Sequence, residues 1–163
     1  MPMHARHLMA AVALLAAGCA SGPPEWVASP LSDDGLAATD CVRDSGKLAL
    51  DRDIALAKAR AGIARLYEQR VGAMDRAWAG LRGTGAPFAP VSKSVAEQTL
   101  TGLPPARVEY VDIEGARQLC AMVAVEGERA QQVFERLVTA SGETVDEDTR
   151  EALLKAFLGA APG

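Results

Sequence analysis

Histidine is nearly missing from this chain: its only two, His4 and His7, sit at the very start, and residues 8–163 hold none. That absence removes imidazole general bases, Ser-His-Asp and Cys-His nucleophile pairs and His-ligated zinc from everything downstream. Basic charge is scarce as well. With 17 lysines and arginines against 21 aspartates and glutamates, the formal net charge is −4, which argues against a nucleic-acid-binding surface. Nor is there an apolar run able to cross a bilayer, because the longest, Leu8 to Ala17, has about ten residues and a spanning helix needs roughly twenty. Two ligand patterns also fail. Gly80-Leu81-Arg82-Gly83-Thr84-Gly85 is glycine-rich, yet it follows a helical pattern rather than a strand and lacks the Gly-Lys-Ser/Thr of a phosphate loop. Asp146-Glu147-Asp148 is consecutive, whereas a calcium loop spreads its carboxylates over about twelve residues around a glycine, so this cluster reads as charge favourable to a helix N-terminus. No metal or cofactor is expected.

What the chain does carry is an address. His4, Arg6 and His7 give a basic start, Leu8–Ala17 a short apolar stretch, and Ala17-Gly18 small residues before Cys19, the layout of an export signal. Because cysteine follows the small pair directly, Leu14-Leu15-Ala16-Ala17-Gly18-Cys19 resembles the bacterial lipoprotein box. The resemblance implies removal of residues 1–18 and lipid on the sulfur and amine of Cys19, which makes the membrane the first partner. At roughly 0.8 kcal/mol per buried CH₂, several acyl chains hold a protein there almost irreversibly. Ala20 in place of aspartate, by resemblance to lipoprotein sorting, favours the outer membrane, with the inner membrane as the alternative. An ordinary signal peptide with a chance cysteine is the other reading. Cleavage leaves 145 of the 163 residues, enough for one domain with a real core, and takes Arg6 along, so the net charge becomes −5. Residues 19–24 read as a tether whose prolines, Pro23 and Pro24, stiffen it. The domain then spans 25–158, and 159–163 reads as a disordered tail.

Along the domain, Ser29 to Gly35 collects turn formers, and Trp26 just before them is expected to close one edge of the core, insertion into a membrane interface being the alternative. Leu36–Arg43, bounded by glycines, reads as a first strand. From Lys47 to Trp78 no proline occurs, and Leu50, Ile54, Ala57, Ala61, Ala64, Tyr67, Val71, Met74 and Trp78 recur at intervals of three and four. That is one long helical stripe, with Ser45 as its expected N-cap and a bend expected near Gly72. Residues 79–90, broken by glycine and proline, read as a mobile loop. For Val91–Thr101 a helix opening on a Ser94/Glu97 capping box is the first choice and a strand the second. Arg107–Asp112 and Arg117–Val125 around Ile113-Glu114-Gly115-Ala116 form a hairpin, and Leu119–Val123, apolar on both faces, belongs in the centre of a sheet. Ala130, Val133, Phe134, Leu137 and Val138 define a further helix ending at Ser141-Gly142, and a Thr144/Glu147 capping box opens the last one through Leu153 and Phe157.

The order of these parts, with Pro24-Glu25-Trp26-Val27, Asp33-Asp34-Gly35, Ala59-Arg60-Ala61 and Glu97-Gln98-Thr99-Leu100-Thr101-Gly102 at their places, resembles the Lpp-twenty type of bacterial outer-membrane lipoprotein. That group includes flagellar outer-membrane lipoprotein P and is related to the N-terminal domain of flagellar protein T. The resemblance covers about residues 24–127 and leaves the last helix outside. It implies an α+β fold, a three-stranded antiparallel sheet packed against a long helix in β-α-(α)-β-β-α order, and no catalytic residue to carry over. In such a sheet Cys41 and Cys120 fall on neighbouring strands, and in an oxidising compartment they are expected to pair, two buried free thiols being the alternative. With the long helix on one sheet face, Cys120, Met122 and Ala124 alternate onto the other. Either the C-terminal helices cover that face, or Met122 marks an interface toward an envelope protein or a second copy. The expected function is a non-enzymatic, membrane-anchored interaction or assembly domain. The alternatives are a small-molecule or lipid-binding lipoprotein and, least favoured, a hydrolase using Asp51 and Asp53, which at two residues apart on a helix do not face each other.

Overall fold

Glu114 and Gly115 both take positive φ, 52° and 76°, the two-residue turn whose twist matches that of the strands it joins. It links β2 (Arg107–Ile113) to β3 (Ala116–Glu126), and β1 (Gly35–Arg43) pairs antiparallel with the other side of β3. The computed structural model describes residues 22–159 apart from 31 and 33, and in it the chain is α+β with the sheet order β1-β3-β2. The expected signal 1–18, Cys19 with its lipid, the start of the tether and residues 160–163 lie outside the described residues. β3 is central, as its apolar residues on both faces require. Gly35 opens β1 where the backbones close in, since a Cβ there would fall 2.1 Å from the Val125 carbonyl oxygen. Ahead of it, a single turn of helix, α1 (Glu25–Ala28), occupies what the sequence presents as the approach to a turn region.

α2 (Leu48–Arg82) runs unbroken through Gly62 and Gly72. At Gly62 the cost of glycine has a cause, because a Cβ would meet that of Ala38 on β1 at 2.8 Å. The expected stripe holds only in the C-terminal half, where Tyr67, Val71, Met74 and Trp78 are buried. In the N-terminal half Leu50, Ile54, Ala57, Ala61 and Ala64 face outward, and Asp51, Ala55, Leu56, Ala59 and Ile63 are buried instead. Successive helical residues turn by about 100°, which puts Ala57 and Ala59 on opposite sides. Both sides carry apolar residues; the close approach at Gly62 and the two small alanines 55 and 59 decide which meets the sheet. Asp51 tolerates burial because it accepts from the Ser45 hydroxyl and backbone N–H at 2.7 and 2.9 Å, and these bonds hold its carboxyl below the usual range. Ser45 is therefore a donor to this helix rather than its N-cap, which is Lys47.

At 35 residues and about 1.5 Å each, α2 outruns the sheet, and its C-terminal half is received by α3 (Ala89–Thr99) and α5 (Glu147–Leu158), while α4 (Gly127–Ser141) packs on those two helices and on the sheet. Phe157 packs on Tyr67 and Phe134 with ring centroids 6.5 and 6.1 Å apart. Tyr67 donates to the Ser92 carbonyl at 3.0 Å, and burial pushes its phenol up. Residues 79–90 are pinned rather than loose: α2 continues to Arg82, Gly83 caps it, and Phe88 is fully buried edge-on to Trp78. The buried Asp75 accepts from the N–H groups of Phe88 and Ala89 at 2.9 and 3.1 Å, so it caps α3 from another helix, and the Ser94/Glu97 pair lies inside α3 instead of at its start. α5 likewise opens on Asp146, which accepts from Thr149 N–H, not on Thr144. Gly159, assigned to the tail by sequence, is the left-handed C-cap of α5. Among the described residues no helix is long and apolar enough to cross a membrane.

Candidate interaction surface

The antiparallel register places two sets of side chains on two faces. Ala121, Val123 and Val125 of β3 join the apolar cluster formed by α2, α4 and α5, and Leu119 is buried on the same face further along the strand. Cys120, Ala37 and Val111 are equally buried but stand outside that cluster, on the opposite face. The C-terminal helices thus share the α2 side of the sheet, and of the two alternatives the one in which they cover the second face does not hold; their Phe134, Leu137, Leu153 and Phe157 are spent on the common core.

On the second face Cys41 and Cys120 are directly opposed and disulfide-bonded, with Cα atoms 4.0 Å apart. Asp44 N–H donates to the Arg117 carbonyl and Gly127 N–H to that of Asp34, which fixes the alternation of the ladder and makes 41 and 120 a non-hydrogen-bonded pair, the kind whose side chains lie closest. Met122 follows, half-buried, between Thr39 of β1 and Arg107 of β2. Asp51 and Asp53 are on α2, away from this face; Asp51 is consumed by Ser45 and Asp53 is exposed.

Trp26 does not close the main core. It lies half-buried on the second face, where its carbonyl accepts from the Thr39 hydroxyl at 2.7 Å and its indole stacks under Arg107, the guanidinium carbon 4.7 Å from the ring centroid. Arg107 is itself held in a forked pair with Glu109 at 2.8 and 3.1 Å. α1 is thereby clipped to one end of the sheet, leaving an open cleft between Trp26, Pro30, Ala37, Arg107 and Met122. Arg107 is the surface residue that sequence reasoning passed over. Its place was countable, since pairing outward from the turn at 114–115 sets 107 opposite 122.

What the fold and this surface define is a small α+β domain with one sheet face packed under helices and the other only partly covered, among the described residues, by α1. No family model, curated protein or solved structure matches the chain.

Proposed function

We propose that this chain is a lipid-anchored, non-enzymatic lipoprotein of the bacterial envelope that acts as an interaction or assembly domain, held in the outer membrane by Cys19, with the Lpp-twenty resemblance pointing to a flagellum-associated setting. The observation that carries the reading is the partly covered sheet face around Met122, which adjoins the point where the tether enters the domain. Pro24 lies five positions after Cys19, a reach of at most about 18 Å, so this face is kept close to the membrane bearing the anchor. A disulfide between β1 and β3 fits an exported domain, because thiols pair and stay paired in oxidising compartments. The larger clefts, including the more apolar one between the start of α2 and the hairpin at Leu48, Val108, Tyr110 and Leu119, are open grooves with charged side chains in their walls, which favours a partner surface over an enclosed site for a lipid or small molecule.

Two outcomes test this. Cys19→Ala should shift the protein from the membrane pellet to the soluble fraction, and its retention in the pellet after a high-salt wash would overturn the anchor. Met122→Glu should abolish recovery of a partner or of self-association while circular dichroism and membrane attachment stay unchanged; a half-buried site of this kind costs about 1 kcal/mol or less in stability. Unfolding of that variant would assign Met122 to the core, and turnover of any substrate by the purified protein would end the non-enzyme reading.

A further inference from the structure

The outward seam of α2 is unpartnered among the described residues. Leu50 and Ile54 are 50% and 41% exposed, and Ala57, Ala61 and Ala64 are exposed beside them, directly behind the face that meets the sheet. Their spacing, four, three, four, three, is a heptad repeat, which keeps a stripe turned toward one partner helix instead of winding away from it. An apolar stripe of that period, left facing water on a helix whose other face is already used, is built for a second helix.

The flanking charges and the side-chain sizes select which helix. Laid antiparallel against a copy of itself, with Ile54 opposite Ala57 and Leu50 opposite Ala61, every large residue of the seam meets a small one. The same register sets Asp53 opposite Arg60 of the second copy, and two-fold symmetry repeats the pair. Asp53 has no ion-pair partner of its own among the described residues, while Arg60 holds the Leu103 carbonyl through Nε and Nη2 at 3.1 and 2.8 Å and keeps Nη1 uncommitted. A parallel pairing sets Leu50 and Ile54 against themselves, large on large, and brings Arg60 up to Arg65, while the Lys58 it would offer to Asp53 is already paired with Asp40 of its own chain. We propose that α2 pairs antiparallel with α2 of a second copy through Leu50, Ile54, Ala57 and Ala61. The pairing rests on this helix face and not on the anchor or on Met122.

Sedimentation equilibrium of the processed, lipidated chain in detergent micelles tests it. The wild type should form a reversible dimer, and Ala57→Arg should weaken it by about ten-fold or more with the helical circular dichroism intact. Asp53→Arg should weaken it about five-fold, and the double variant Asp53→Arg/Arg60→Glu should return to within about two-fold of wild type, because the charge pair is then restored with its sign reversed. A chain that stays monomeric, or a dimer indifferent to Ala57→Arg, overturns the proposal. Failure of the double variant to recover overturns the antiparallel register. A dimer broken by Met122→Glu and untouched by Ala57→Arg places self-association on the sheet face, which sinks the α2 pairing while leaving the proposed function standing.

Discussion

Replacing Cys41 and Cys120 together by serine is expected to lower the unfolding free energy by up to ~4.5 kcal/mol and the thermal midpoint by on the order of 10 °C. The bond closes a loop across 79 positions of sequence, from the edge strand β1 over the whole of α2, α3 and β2 to the central strand β3. In the chain-entropy account, a link over that span removes more freedom from the unfolded chain than a local one, and the loss grows only slowly with length. The native state gives little back, because the pair sits at a non-hydrogen-bonded position and the ladder on either side is made by backbone groups that serine leaves in place. The fold should therefore persist, with its far-ultraviolet spectrum unchanged and its urea midpoint lowered. Wild type treated with reductant should converge on the variant. A urea midpoint that ignores both reductant and substitution would show that the bond contributes nothing to stability.

The second large effect is expected at Phe157, where truncation to alanine should cost about 3–5 kcal/mol. Its ring is fully buried and touches Tyr67 of α2 edge-on and Phe134 of α4, so it joins three helices in one contact. α5 has 12 residues, too short to stand alone in water, and its place depends on that anchor together with Leu153. The loss should be local before it is global. Hydrogen exchange is expected to speed up through α5 while β3 keeps its protection, and the Tyr67 phenol, which burial pushes up, should titrate nearer its ordinary value once water reaches it. Uniform loss of protection across β3 and α5 would show a single cooperative unit instead.

Most of the architecture is written in local pattern. The hairpin is legible because a two-residue turn fixes the pairing on both sides of it, and the centrality of β3 because a strand apolar on both faces has to be covered on both. α4 is legible for the same kind of reason, a single apolar stripe closed by Gly142. The pairing of the two cysteines follows once strand order and register are both known. Where the sequence misleads, the information is not local. Periodicity finds that the N-terminal half of α2 has an apolar seam, but two seams are present there, and the close approach of Gly62 to Ala38, with the small Ala55 and Ala59 beside it, decides which of them meets the sheet. Asp75 looks like a surface charge until a loop 13 residues away brings the Phe88 and Ala89 N–H groups to it, and with them the supposedly loose segment is pinned. Trp26 looks like core until Arg107 and Thr39 hold it on the other face. Sequence by itself determined most of the elements and their order, because those depend on neighbours a few residues apart. Which face of α2 is buried, which residue caps α3 and which side of the sheet stays open were decided only in the tertiary structure, because close approach of backbones and desolvation of a charge depend on residues that the chain brings together from far apart.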